Sequence, residues 1–147
     1  MSFASTYLKR YASGLKEDFN PPSPDLFFSI VIPVYKEPDL LYCLKSILES
    51  NTPSLPVEII LVFNCPDKED KTCITVNDQV ISQVRKIVPK FTDRDIQILI
   101  LNPDHFPSSK AGPGLARKIG MDLAISRFNQ INQADGLIVS LDADTLV

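Results

Sequence analysis

Four short, almost unbroken apolar runs, at residues 28–34, 57–63, 96–101 and 136–141, limit what this chain can fold into. Each is rich in Ile, Val and Leu and ends abruptly in polar or turn-forming residues. Strands covered on both faces read this way, whereas a strand with one wet face alternates apolar with polar. Helical periods separate them. Leu40, Leu41, Leu44, Ile47 and Leu48 share one helix face, and Val80, Ile81, Val84, Ile87 and Val88 repeat that spacing before Pro89 ends the pattern. A third helix is expected over about 113–128, with Leu115, Ile119 and Leu123 in line. Pro38 suits the first turn of the first helix, where its missing N–H is harmless. Strands alternating with helices call for right-handed crossovers and a mostly parallel sheet with helices on both faces. The expectation is therefore a Rossmann-like α/β domain over residues 26–147. Residues 1–25 read as a separate extension, a short helix near 5–15 followed by the stiff Asn20-Pro21-Pro22-Ser23-Pro24.

Composition removes several function classes. A net charge of −3 lacks the basic excess of a nucleic-acid binder. No apolar run approaches the roughly 20 residues of a membrane helix, and the first residues lack the apolar core of a secretory signal. Cys43, Cys65 and Cys73 are odd in number and match no zinc spacing. They read as reduced thiols of a cytoplasmic protein.

The polar chemistry gathers at the carboxyl ends of the expected strands, where open α/β sheets bind ligands. Those ends read Pro33-Val34-Tyr35-Lys36-Glu37, Asn64-Cys65-Pro66-Asp67, Asn102-Pro103-Asp104 and Asp142-Ala143-Asp144. Two carboxylates one residue apart can share a hard cation, or one can hold metal while the other holds a sugar hydroxyl. Turn capping is the plainer use of the same pair. Further along, Lys110-Ala111-Gly112-Pro113-Gly114 opens a helix that continues through Arg117 and Lys118. Free backbone N–H groups and the helix dipole favour an anion there, and Lys110, Arg117 and Lys118 add charge. Neither a Walker loop nor the G-x-G-x-x-G dinucleotide fingerprint is present.

Taken in order, these segments resemble the family 2 glycosyltransferases, whose nucleotide-binding half has the GT-A fold. Residues 28–37 look like that family's opening strand with its Pro-x-Tyr/Phe-Asn-Glu ending. Gly114-Leu115-Ala116-Arg117-Lys118-Ile119-Gly120 resembles its G-x-A-R-N-x-G helix, and Leu141-Asp142-Ala143-Asp144 its LDADD metal motif. The resemblance implies that Pro33, Tyr35 and Glu37 contact base and ribose, that Asp142 reaches ribose or sugar, and that Asp144 ligates Mn²⁺ or Mg²⁺ bridging the diphosphate, with Asp142 a second metal ligand. Arg117 and the loop carrying Lys110 would lie near the donor.

Three departures bear on this. Where the family shows Asp-Asp-Gly-Ser, this chain reads Phe63-Asn64-Cys65-Pro66, so Asn64 would meet the base without a charge. Lys36 and Lys118 stand where Asn is commoner, which is expected to make the site more cationic. The chain ends three residues after Asp144, before the half that supplies the acceptor base in inverting members. The expectation is a donor-binding, metal-binding GT-A portion, inactive alone, whose acceptor is unknown and whose truncated edge invites self-association. A nucleotidyltransferase-like domain or a non-catalytic interaction module are the alternatives.

Overall fold

The centre of the fold is β2 (Val57–Phe63), buried along its whole length, as its sequence, apolar but for Glu58, demands. The computed structural model describes residues 2–14, 18–51, 54–65, 70–91, 95–102 and 112–147. A short α1 (Ser5–Tyr11) precedes β1 (Phe28–Val34), α2 (Leu40–Glu49), β2, α3 (Lys71–Ile87), β3 (Ile96–Leu101), α4 (Pro113–Gln130) and β4 (Leu137–Ser140). The four strands form one all-parallel sheet in the order β3-β2-β1-β4. The chain thus steps outward from β1 to β3, then crosses back to pair β4 with the other side of β1. This is an α/β, Rossmann-like arrangement with its topological switch between β1 and β4.

Alternate strand residues divide into two cores. Ile32, Val34, Ile59, Leu61 and Phe63 pack against Leu40, Leu44, Ile47 and Leu48 of α2 and Val80, Ile81 and Val84 of α3. Val31, Ile60, Val62, Leu99 and Leu101 face Ala116, Ile119 and Ala124 of α4 on the other side. Each fully buried aliphatic side chain contributes about 1.5–3 kcal/mol, so these two layers carry most of the stabilisation. Gly120 lets α4 approach the sheet: a Cβ there would run into Val31 and come within 3.0 Å of Val62.

One buried ion pair ties three parts of the chain together. Arg127 near the end of α4 and Glu58 on β2 are each 2% exposed. The guanidinium donates from Nε and Nη2 to the two carboxylate oxygens, both at 2.6 Å, and Nη2 also donates to the Asn20 carbonyl at 3.1 Å. The N-terminal segment is also docked through Asp122, which is 3% exposed. Its carboxylate accepts from Tyr7 Oη at 2.7 Å, Ser13 N at 2.8 Å and Lys118 Nζ at 2.6 Å.

Several expectations need correction. β4 is four residues, shorter than the run 136–141, and Leu137 and Val139 are 49% and 40% exposed. No helix among the described residues covers the face that Leu137 and Val139 present, so the reading of every run as covered on both faces fails there. Pro38 sits in the turn before α2, which begins at Leu40. α3 starts at Lys71, nine residues before the periodic stretch at Val80, because Asp70 caps it by accepting from Cys73 N at 3.0 Å. No helix among the described residues is long and apolar enough to cross a membrane.

Candidate functional site

At the switch point, pairing with β4 stops short of the end of β1. Val31 O accepts from Leu141 N and Val34 O accepts from Asn64 N. Strand alternation therefore turns the backbone of Pro33 toward the β4 side, beyond the last β4 pair. Its missing N–H falls where no partner strand remains, which is where proline is tolerated in a strand with two neighbours. Beyond it, Tyr35 is about half exposed at 49% and its ring carries Lys36 Nζ at 5.6 Å from the centroid. Glu37 begins the turn into α2, its carbonyl accepting from Leu40 N at 3.3 Å.

Lys36 has φ 46°, a left-handed conformation in which Asn or Gly sits more easily than Lys. Two contacts hold it. Its N–H donates to Asn77 Oδ1 at 3.3 Å, and its ammonium pairs with Asp70 at 2.5 Å. The Asp70 hydrogen bond raises the Lys36 pKa above its ordinary 10.5, and Lys36, with the Cys73 N–H, lowers that of Asp70 below 3.8. A depressed carboxylate contributes above its unfolded pKa and is lost as pH falls through its folded one. A raised lysine contributes below its unfolded pKa and is lost as pH rises through its folded one. The tie is thus expected to stay intact from about pH 4 to 10 and to loosen only outside that window. Carbon-detected NMR titration of Asp70 should give a midpoint under 3.8 that rises in Lys36→Ala. An ordinary midpoint unmoved by that substitution would show no such pair in solution.

At the other lip, the end of β4 is shaped by one small side chain. Ala143 is 7% exposed and belongs to the core beneath α2, while Asp142 and Asp144 on either side are exposed. Thr145 N closes the turn on Asp142 O at 3.0 Å, and Cys43 Sγ of α2 lies 3.8 Å from the same carbonyl. Burial, and secondarily the Asp144 carboxylate, pushes the Cys43 thiol pKa up. Arg117, in the second turn of α4, forms an ion pair with Asp142. The structure pairs Arg117 with Asp142, and Asp144 makes no hydrogen bond or ion pair among the described residues.

Asn64, at the end of β2, is 2% exposed, yet its Oδ1 has no hydrogen-bond partner. A buried acceptor left unmatched costs about 1–3 kcal/mol unless something else supplies a donor. Ser29 Oγ is likewise buried and unmatched, but it lies toward the amino end of β1, away from this rim. Of these two, Asn64 lies at the carboxyl end of its strand.

Other expectations fare differently. Lys110 lies outside the described residues. Lys118 does not add charge to the rim, because its ammonium is engaged by Asp122 and by Tyr11 O at 2.8 Å on the α1 side. Lys36 is balanced by Asp70. The reading of three reduced cysteines is overturned: Cys65 and Cys73 form a disulfide with Cα atoms 6.0 Å apart, and Cys43 alone is free and buried. Spacing along the chain could not reveal that pairing, since it depends on α3 starting early enough to carry Cys73 back to the end of β2. Sequence reasoning also missed Asn77, whose Nδ2 donates to Asn64 O at 3.3 Å. The clue was a polar residue in the buried stripe Cys73, Asn77, Val80, Ile81, Val84.

Among the described residues no three Asp, Glu, His or Cys side chains converge as a metal cage. Asp142 and Asp144 fit instead the sparse pattern of Mg²⁺-type sites, one or two carboxylates completed by water and phosphate oxygens. A separate cavity of about 600 Å³ lies between α3 and the end of β3, lined by Asp78, Ser82, Arg85, Lys86, Ile100 and the strand-end Asn102; Asn64, Arg117, Asp142 and Asp144 do not line it. Compared with known proteins, the chain matches no family model and no curated protein significantly.

Proposed function

We propose that this chain is the donor-binding portion of a glycosyltransferase, holding a nucleoside-diphosphate sugar with a divalent cation for transfer of the sugar to an acceptor. The observation that carries the reading is the β4 end. A buried Ala143 turns two flanking carboxylates outward at the switch point, and Arg117 is drawn to one of them. That is a mixed-charge lip, suited to a diphosphate that brings its own cation.

Each side chain then has a separate task. Asp144, without a partner among the described residues, would be the first ligand for Mn²⁺ or Mg²⁺, which would neutralise charge on the departing diphosphate. Asp142 orients a ribose or sugar hydroxyl, or joins the cation when Arg117 swings onto a phosphate oxygen. Tyr35, Pro33 and Glu37 line the base and ribose side, and Asn64 offers its unmatched acceptor to a ring N–H. These residues account for donor binding, and none of them is assigned to deprotonate the acceptor.

Calorimetric titration of UDP-, GDP- and dTDP-sugars, with Mn²⁺ and then with EDTA, tests the reading. Binding of one nucleotide class, lost on chelation, is the expected result. Absence of binding across the panel with metal present would refute it.

A further inference from the structure

The bond between Cys65 and Cys73 lies one residue beyond Asn64, and nothing in donor binding requires it. Its surroundings give it leverage. Asn77, 3% exposed, donates from Nδ2 to Asn64 O and Cys65 Sγ, both at 3.3 Å, while its Oδ1 accepts from Lys36 N at 3.3 Å. Asp70, which caps α3 on Cys73 N, also holds the Lys36 ammonium. Both contacts that keep Lys36 in its left-handed conformation therefore come from the first two turns of α3. A strained backbone of this kind persists only while its surroundings over-determine it. Beyond the main chain itself, the disulfide ties the first turn of α3 covalently to the end of β2.

We propose that Cys65–Cys73 is a thiol-exchange site whose redox state decides whether residues 35–37 are held in place or released. Cys65 is partly exposed and Cys73 is fully buried, so an incoming thiolate meets the Cys65 sulfur first. Attack forms a mixed disulfide on Cys65 and expels the Cys73 thiolate, which takes up a proton. Cys73 lies in the first turn of the 17-residue α3, where the helix terminus favours a departing thiolate. A second thiol of a dithiol reductant then displaces Cys65. The sum is one protein disulfide and one dithiol converted to two protein thiols and the reductant's disulfide, with two electrons transferred. The loosening of residues 35–37 stands apart from any ligand, and only its effect on donor affinity rests on the glycosyltransferase reading.

The test uses the full chain purified without reductant, before and after dithiothreitol. Thiol alkylation read by mass should leave Cys65 and Cys73 unmodified before treatment and modify both afterwards. Amide exchange at Lys36 should then accelerate at least about tenfold, with the Ile60 amide of β2 unchanged as a control for global unfolding. Cys65→Ser/Cys73→Ser should exchange like the reduced chain without any reductant. Alkylation of both cysteines in the untreated native protein, or Lys36 exchange equal in the two forms, would overturn the proposal. If Lys36 exchange accelerates but neither form binds a nucleotide sugar, the clasp stands and the donor reading fails.

Discussion

Arg127→Ala is expected to lower the unfolding free energy by about 3–5 kcal/mol, a large share of the stability of a domain this size. The substitution leaves the Glu58 carboxylate 2% exposed with both guanidinium hydrogen bonds gone. It also removes the donor to Asn20 O, so the segment leading into β1 loses its anchor on α4. An isolated charge at that depth is far more costly than the pair was favourable, because pairing mainly offsets the penalty of leaving water. The contrast is the double substitution Glu58→Leu/Arg127→Met, which removes both charges while keeping volume. It should recover most of the lost stability, and urea unfolding of the parent, Glu58→Leu, Arg127→Met and the double variant measures the coupling directly. A single-variant loss under about 1 kcal/mol would mean that the pair is not desolvated as described.

Gly120→Val is expected to cost about 3 kcal/mol for the opposite reason, too many atoms rather than too few. At Gly120 α4 lies so near the sheet that an added Cβ overlaps Val31 and crowds Val62. Those side chains belong to β1 and β2, the two central strands, and have little room to retreat. The helix would have to lift off, loosening Ala116 and Ile119 and shifting Arg117 away from Asp142. Thermal unfolding should show the loss, and a variant as stable as the parent would contradict this packing.

Much of the fold was legible because its signal is local. The three strands over 28–34, 57–63 and 96–101 have the bounds their apolar runs predict, since most of their residues are apolar and pack into the two cores. β4 misled because an apolar run reports what a residue is, not what covers it. Leu137 and Val139 are as apolar as Ile59 and Ile60, but no helix of the described chain lies over them. The early start of α3 was hidden because its first turns carry Lys71, Thr72 and Thr75 on the wet side, with Cys73 and Asn77 as the buried stripe.

The candidate site divides the same way. Asp142, Asp144 and Arg117 were readable from sequence, and the ion pair between Arg117 and Asp142 joins residues 25 apart in the chain. What escaped was the second layer: Asp70, Asn77 and the Cys65–Cys73 bond, which hold Lys36 and the end of β2. These are long-range or conformation-dependent contacts, and no spacing rule marks them. The charge balance also escaped, because Lys36 and Lys118 look like free cations in sequence but are each matched by an aspartate in space.

The central claim is most directly tested by repeating the nucleotide-sugar titration with Mn²⁺ on Asp142→Asn/Asp144→Asn beside the parent chain. Both carboxylates are exposed and outside the packed core, so the fold should survive the change. The account predicts metal-dependent binding by the parent and a loss of about 100-fold or more in the variant, at or above the top of the range seen when only the outer-shell partners of metal ligands are changed. Equal affinity of the two proteins for nucleotide sugar and for Mn²⁺ would contradict it.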